Sequence, residues 1–552
     1  MVHSFRVASR RRFFRIALTL WGTSFLATGV GCQGAGSAAG DRGAGGEPSM
    51  GEGMGQGGGA GSGGASGSGA GSGGGAMTGG ASAGASGGGA GGASGAGVMA
   101  PDGGSPAANP DAAPAGCEPD FAAVFPQDRV VEIQLDFADG DWNALLRDWD
   151  QRREKNYYQA DLRFGAESLT GIGVRLKGFS SLEYGTGLGG RRPGRTSDAR
   201  AKFPLKLDFN RFGQLRFHCL DRVNLGNNWA DITFMRERLA ARMYNAMGVP
   251  AARTAYAKVT VEGVYLGLYT LTEQIDKRFL RAHFGELADA DDGNLYKSVL
   301  SAERAIGQLV FRGESRADYV RMGAVCPSAF EECGITLKTN EDDPKKNDYA
   351  DLIQFLRILN QTPDEAFEEA IAQVFDVDTF LRLAAVTVAI ANPDSYFGMG
   401  HNYYLYHRPD IGRFVMLPWD LNEAYAGHPC GQDFITYDFA QPVCAQNANG
   451  FVLARRILAV PRYRQQYRTY VREVLDKYFT REQHEAWIAE LDALIGDEMG
   501  GDPNYIATPQ DYEIAISDQL SSPGEGKGGH GGREYNLLDL VVRKRAALLR
   551  QF

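Results

Sequence analysis

The stretch that decides the fold is AYAKVTVEGVYLGLYTLTEQID at 255–276, in which two alternating runs flank the pair Glu262-Gly263. Alternation of apolar and polar residues with a period of two is typical of a β-strand with one buried face, and a glycine-containing pair between two such runs predicts a hairpin. We therefore expect strands at 255–261 and 265–272. The second strand continues into EQID at 273–276, which we interpret as a connection between two lobes.

The same alternation predicts three more strands upstream, at 129–137, 172–179 and 203–209. The Gly/Arg-rich residues 184–201 are predicted to form a loop between the last two of these strands. A helix is predicted after them, because methionine and leucine recur at a four-residue spacing from Met235 to Met247. Asp231 suits its N-cap, and Gly248 with Pro250 would end it.

The second half of the chain has mostly helical apolar spacing. Helices are predicted at 349–360, 365–374, 377–391, 461–478, 481–495 and 536–552, with one strand pair at 402–407 and 413–417. The predicted fold class is therefore α+β, with a β-rich N-terminal lobe at about 125–276 and a mainly helical C-terminal lobe at about 277–552. This order of elements is that of a protein-kinase-like two-lobed fold.

A glycine-rich segment precedes the predicted folded part. The chain has 552 residues and 73 glycines, of which 34 fall at 33–116 in the company of Ala, Ser and Pro and of no aromatic residue. Such a composition cannot bury enough apolar surface to offset the loss of backbone entropy on folding. We predict that 32–116 is a disordered, flexible linker and that the folded domain spans 117–552.

An export signal is predicted at 1–31. Its basic front contains SRRRFFR (9–15), which resembles the twin-arginine export consensus, and a mostly apolar run follows at 16–31. Cys32 comes immediately after this run, as in a lipoprotein cleavage box. We predict lipid attachment at Cys32 and an outer-membrane or cell-surface location; ordinary signal cleavage nearby, which would discard Cys32, is the alternative.

Six cysteines remain after Cys32, and an even number in an exported chain favours disulfides. The local pairs Cys326 with Cys333 and Cys430 with Cys444 are the first to consider, although the sequence alone leaves all pairings open. None of these cysteines has the CxxC spacing of a structural zinc site. The net charge of −10 argues against a nucleic-acid partner.

Phosphoryl transfer from ATP needs few protein groups, because catalysis there is mostly positioning and charge neutralisation. These groups are a glycine-containing turn and a lysine for the phosphates, a helix carboxylate that orients the lysine, and Asp or Asn side chains for the metal and the acceptor. The chain has a candidate for each of them, in the expected order along the sequence. The turn at Gly178, with Arg175 nearby, follows a predicted strand, lysines stand on the next strand, and Glu237 stands on the helix after it.

At this point the residues resemble the spore-coat protein H kinase-like (CotH) family over essentially all of 125–552. The segments that carry the resemblance are RLKGFSS (175–181), KFPLK (202–206), MRERLA (235–240) with Gly248, YLGLY (265–269), EQID (273–276), GNLYK (293–297), NPD (392–394), HNYYLY (401–406) and PWDLN (418–422). Each motif alone is weak, whereas the full set in one order is specific.

The resemblance implies an atypical protein kinase that uses ATP and Mg²⁺ or Mn²⁺ to phosphorylate serine, or threonine, on exported proteins. It implies that Asp394 orients the acceptor hydroxyl and accepts its proton. Asn402 and Asp420 would hold the metal, together with Asn422, which stands where many relatives have Asp. The residues expected to bind the nucleotide are Arg175, Gly178, Lys202, Lys206, Glu237, Glu273 and Lys297.

Two questions of role stay open at this stage. Lys202 is the first choice for the phosphate lysine, with Lys206 close behind, and Lys297 could contact phosphates or pair with Glu273. A second class of function is also open, because some family members serve as adhesins, and a tethered surface lipoprotein would suit that role. The partner is then a cell-surface protein in either case.

Overall fold

The computed structural model describes residues 117–183, 200–285, 292–301, 303, 306–327, 330–425, 451–518 and 536–552. The predicted signal, Cys32, the predicted linker, most of the predicted loop at 184–201, and the pair Cys430 and Cys444 lie outside these residues. In the described ranges, no helix is both long enough and apolar enough to cross a membrane.

Seven strands form a closed barrel. They are β1 Val130–Phe137, β2 Tyr158–Phe164, β3 Glu167–Leu176, β4 Leu205–Asp208, β5 Arg222–Gly226, β6 Thr254–Val261 and β7 Val264–Glu273. The order around the barrel is β1-β2-β3-β4-β5-β7-β6. Neighbours are antiparallel except β1 and β6, which run parallel from Val130 opposite Tyr256 to Leu135 opposite Val261. This pairing closes the barrel, and apolar side chains fill it.

Five further strands form a second, antiparallel sheet. They are β8 Leu295–Val299, β9 Val320–Met322, β10 Glu332–Leu337, β11 Tyr403–Arg408 and β12 Arg413–Pro418. Their order is β12-β11-β8-β10-β9, so the predicted hairpin of β11 and β12 joins the other three strands through β8.

Thirteen α-helices lie in the described ranges, and most of them surround the second sheet in one apolar core. They are α1 Phe121–Val124, α2 Asp141–Arg152, α3 Ser180–Glu183, α4 Arg236–Ala246, α5 Lys277–Phe284, α6 Ala350–Gln361, α7 Asp364–Val374, α8 Val377–Ala389, α9 Val452–Ala459, α10 Pro461–Glu473, α11 Arg481–Met499, α12 Pro509–Ile516 and α13 Leu537–Gln551. The predicted helices all occur, with ends shifted by a few residues. Asp231 is not the N-cap of α4, but its carboxylate accepts a hydrogen bond from the backbone N of Arg236, at the start of the helix.

The expectation of a kinase-like two-lobed fold is wrong, although the α+β class is correct. The β-rich half closes into a barrel, and the second half contains a five-stranded sheet rather than a single hairpin among helices. Strands β2, β5, β8, β9 and β10 were not predicted; all but β2 have six residues or fewer, which gives alternation little length to show. The predicted connection at 273–276 begins inside β7, whose last residue is Glu273.

Two disulfides are formed in the described part of the chain. Cys326 pairs with Cys333, as expected, and Cys117 pairs with Cys219, which lies 102 residues further along the chain. Disulfides persist in oxidising compartments, so both bonds are typical of an exported protein.

Candidate functional site

A cavity of about 1080 Å³ lies between the barrel and the second sheet. The barrel contributes side chains from the end of β3, from β4 and from β5, and α4 contributes Glu237. The second sheet contributes Lys297 on β8 and Tyr404 on β11, and the segment after β12 contributes Asp420. Most of the residues predicted for nucleotide or metal binding therefore face one space.

The carboxylate of Asp394 is held from two sides. Its Oδ1 lies 2.5 Å from Nε2 of His401, and its Oδ2 accepts a hydrogen bond of 2.8 Å from Nδ2 of Asn402. Nδ2 of Asn402 also donates to the backbone carbonyl of Asp394, at 3.1 Å. The segment from Asp394 to Asn402 thus forms a closed turn that fixes the carboxylate in the cavity wall.

Asp420 lies directly after β12 and is exposed to the cavity. Its backbone has φ of 57°, a left-handed conformation that few residues other than glycine adopt. The preceding Trp419 donates its backbone N–H to the carbonyl of Asn402, at 3.2 Å, which ties this segment to the turn that holds Asp394. Such a conformation outside glycine is enriched at functional sites.

Asn422 and Glu423 follow in a short 3₁₀ turn. Asn422 donates from Nδ2 to the carbonyl of Trp229, at 2.9 Å. Burial raises the pKa of Glu423 well above its usual range, and the charges of Asp394 and Asp420 raise it further. Glu423 was missed at the sequence level; its position, next to a motif residue but outside the motif, was the only signal.

Cations gather on the barrel side of the cavity. Arg175 on β3 and Lys206 on β4 are direct cross-strand partners. Like charges placed opposite each other destabilise a sheet, so this pair costs stability that an anionic ligand would offset. Burial lowers the pKa of Lys206 well below its usual range, and Arg175, Arg222 and Lys297 lower it further. Nζ of Lys206 donates to the side chain of Gln274, at 3.0 Å.

Lys297 and Lys177 approach the same aromatic ring. Their Nζ atoms lie 5.2 and 5.8 Å from the ring centroid of Trp419. Burial lowers the pKa of Lys297 to about 7; Asp420 opposes this shift, and the neighbouring cations contribute to it. The ring of Trp419 thus has two ammonium groups near it, and one of them, that of Lys297, interacts with the carboxylate of Asp420.

Glu237 on α4 interacts with Lys177 rather than with Lys202. Burial raises the pKa of Glu237 to about 7, and the charge of Lys177 opposes this shift. Oε1 of Glu237 also accepts a hydrogen bond of 3.2 Å from the hydroxyl of Thr272. A helix carboxylate paired with a strand lysine was expected, but the lysine comes from the end of β3.

Lys202 and Glu273 lie outside the cavity lining. Nζ of Lys202 is 2.7 Å from Oδ2 of Asp502, and both side chains are buried. Glu273 is 2% exposed and accepts from Arg253, with Nη1 2.9 Å from Oε1. Both predicted nucleotide-binding residues therefore have carboxylate or guanidinium partners in the protein core.

Gly178 lies in the cavity wall at the end of β3. Its φ is +76°, and a Cβ atom built there would be 2.9 Å from Oγ of Ser181. The positive φ favours glycine at this position. Its carbonyl accepts a hydrogen bond of 3.0 Å from Nζ of Lys155, a residue that the sequence analysis did not single out.

Comparison with known proteins agrees with the resemblance seen in the motifs. The sequence profile of the family described as CotH kinase protein matches residues 185–546, about two thirds of the chain. The inner spore coat protein H of Bacillus subtilis is 25% identical over 275 residues, which cover 49% of this chain and 66% of that protein. Invasin CotH2 of Rhizopus delemar is 21% identical over 336 residues, which cover 58% of this chain and 53% of that protein. The matched regions thus span between half and two thirds of these relatives, and this chain belongs to the CotH family.

Proposed function

We propose that the cavity binds ATP with Mg²⁺ or Mn²⁺ and that the protein transfers the γ-phosphate to serine, or threonine, of exported or cell-surface proteins. The observation that carries the proposal is the presence of both cations and carboxylates in one cavity. Cations line it from the barrel and from the second sheet, and Asp394, Asp420 and Glu423 line it with carboxylates. A phosphate chain and a divalent cation would neutralise these two groups together.

The residues present fit a cation that is shared with phosphate. In the parts of the chain that the structure describes, no three His, Cys, Asp or Glu side chains are grouped so that they could hold a metal ion. Mg²⁺, however, is commonly bound by one or two carboxylates together with phosphate oxygens and water. Asp420 would supply the carboxylate, and Asn402 and Asn422, whose amide nitrogens donate within the protein, would present their carbonyl oxygens.

Asp394 has the geometry of a positioned base. His401 and Asn402 fix its carboxylate, so it can accept the proton of a serine hydroxyl while that oxygen bonds to phosphorus and ADP leaves. The bound metal would neutralise charge on the phosphates. Lys177 and Lys297 would hold the phosphates beside Asp420, and Glu237 would orient Lys177.

The location proposed for this activity is outside the cytoplasm. Two disulfides are typical of exported proteins, and the relatives are named as a spore coat protein and an invasin. The predicted lipid at Cys32 and linker at 32–116 would hold the folded domain near a membrane, where a cell-surface protein is the substrate. ATP is scarce outside the cytoplasm. Because the predicted twin-arginine route exports folded proteins, the protein could bind ATP and phosphorylate a substrate before export and then act at the surface.

A surface-binding module without catalysis is the second candidate. The observation that favours it is the name of the fungal relative, an invasin. A binding module has no need of a fixed carboxylate opposite a cation cluster, and for this reason we rank it second.

The test uses the full-length protein with ATP and Mg²⁺ or Mn²⁺, and phosphate is sought by mass spectrometry on the protein itself and on exported proteins. We expect phosphoserine and a rise in melting temperature with nucleotide. Asp394→Ala and Asp420→Ala should each abolish transfer, whereas Asp128→Ala, at an exposed position outside the cavity, should not. Absence of both phosphate incorporation and a thermal shift would leave the binding module as the function.

A further inference from the structure

Lys155 reaches the cavity from the connection between α2 and β2, a segment that no motif includes. Its Nζ donates to the carbonyl of Gly178, at 3.0 Å, and lies 4.5 Å from the ring centroid of Phe330. These contacts hold the ammonium over the turn at the end of β3. The turn carries Lys177 and follows Arg175, both of which line the same cavity.

The surroundings of Lys155 are unfavourable to a cation. Among the described residues, no carboxylate lies within 4.0 Å of its Nζ, and its polar partner is a neutral carbonyl. Burial, together with the charges of Arg175, Lys297 and Lys177, lowers the pKa of Lys155 to about 7. Burying an ammonium without an opposite charge is costly, and a residue with no other role could be replaced by an apolar one at a gain in stability.

Two neighbouring cations also lack a carboxylate partner among the described residues. Arg175 donates to the carbonyl of Leu176, and Lys206 donates to the amide of Gln274, so within the described residues neither forms an ion pair with a carboxylate. The three cations come from the α2–β2 connection, β3 and β4. An ammonium has three N–H groups, and in Lys155 the Gly178 carbonyl accepts one of them, which leaves donors for a ligand.

We propose that Lys155 is a further phosphate-binding residue and completes, with Arg175 and Lys206, a three-cation seat for a chain of phosphates. This inference rests on the proposed function and makes it more specific. The seat recognises the phosphate chain itself, so inorganic tripolyphosphate binds there as well as ATP. Adenosine, which has no phosphate, makes no use of Lys155.

The experiment is titration calorimetry on the full-length protein with Mg²⁺-ATP, tripolyphosphate and adenosine. A hydrogen bond to a charged group contributes enough free energy that Lys155→Met should lower the affinity for Mg²⁺-ATP and for tripolyphosphate about tenfold or more. The affinity for adenosine should stay the same, and Lys155→Arg should restore part of the loss. Lys477→Met, at an exposed lysine paired with Glu473, is the matched control and should change none of these affinities.

The melting temperature without ligand separates binding from packing. Since Lys155→Met removes a half-buried charge that neighbouring cations repel, we expect an unchanged or higher melting temperature. If wild-type protein binds both phosphate ligands and Lys155→Met binds them equally well, the role of Lys155 is refuted and the proposed function stands. If wild-type protein binds neither, both fail. A lower melting temperature together with equal loss of adenosine binding would assign Lys155 to structure and overturn the inference.

Discussion

The ammonium of Lys202 lies 2.7 Å from the carboxylate of Asp502, 300 residues further along the chain, and both side chains are buried. Oδ2 of Asp502 also accepts from the backbone N of Leu268. A Cβ atom at Gly267, where φ is +126°, would lie 2.3 Å from Oδ1 of Asp502. This ion pair therefore ties the segment before β4 to the loop between α11 and α12, across β7.

We predict that Lys202→Met lowers stability by about 3–5 kcal/mol, because it leaves the charge of Asp502 buried without a partner. The double variant Lys202→Met with Asp502→Leu should recover part of this loss, since both charges are then absent. Denaturant unfolding measures the free energies. The nucleotide affinity of the folded Lys202→Met protein should equal that of the wild type. A loss of nucleotide binding at unchanged stability would instead show that Lys202 binds phosphate.

Lys177, in contrast, should matter for transfer rather than for folding. It faces the cavity beside Trp419 and is the cation that acts on Glu237. We expect Lys177→Met to reduce kcat/KM for ATP about 100-fold, a loss typical of removing one group that stabilises developing charge. Steady-state phosphorylation assays with matched denaturant curves provide the measurement.

Glu237→Gln tests the same pair from the helix side. Burial raises the pKa of Glu237 to about 7, so this carboxyl is already partly neutral at pH 7 without ligand. The expected loss of activity is therefore smaller, about tenfold or less. A loss in Glu237→Gln that exceeds the loss in Lys177→Met would show that Glu237 acts on some group other than Lys177.

The sequence predicts the elements of this fold better than their assembly. Hairpin β6–β7, strand β1 and helices α6, α7 and α8 follow from local periodicity, which depends on neighbours a few residues away. Closure of the barrel depends on β1 pairing with β6, from Val130 opposite Tyr256, and no local pattern encodes that pairing. The kinase-like interpretation failed for this reason, since the order of elements is compatible with more than one arrangement of strands.

The sequence motifs identified part of the lining of the candidate site. Asp394, Asn402, Asp420 and Lys297 were named from their motifs, and the structure brings them to one cavity. Lys155 was not named from the sequence, because a lysine between a helix and a strand is normally solvated. Lys202 was named as the first choice for the phosphate lysine, since its ion pair with a residue as distant as Asp502 cannot be predicted from a strand-like stretch.

The disulfide Cys326–Cys333 should hold in place the part of the cavity wall next to Lys155, the proposed phosphate-binding lysine. Phe330, between the two cysteines, packs near Phe179 at 6.2 Å between ring centroids and contacts Lys155. In the double variant Cys326→Ser with Cys333→Ser this wall is less constrained, so we expect weaker binding of Mg²⁺-ATP by a few-fold. Titration calorimetry measures the effect. The Cys117–Cys219 bond, which does not enclose the segment that contains Phe330, is the matched control, and an equal effect from both bonds would contradict a local role.

Affinity for Mg²⁺-ATP should fall as the pH rises above about 7. Without ligand, burial lowers the pKa of Lys155 and Lys297 to about 7, and the facing cations Arg175 and Lys177 contribute, whereas Asp420 opposes the shift of Lys297. A bound phosphate chain favours the protonated lysines and raises both pKa values. Below pH 7 both groups are largely protonated in either state, so these two lysines change the affinity little there.

Above pH 7, binding must take up protons, and each coupled lysine weakens the affinity by up to about tenfold per pH unit until its pKa in the complex is reached. Calorimetry at pH 6.5, 7.5 and 8.5, in two buffers of different ionisation enthalpy, counts the protons taken up. Lys155→Met should reduce that count, because one of the titrating ammonium groups is absent. Proton release on binding, or an affinity independent of pH across this range, would show that these lysines do not face the phosphates.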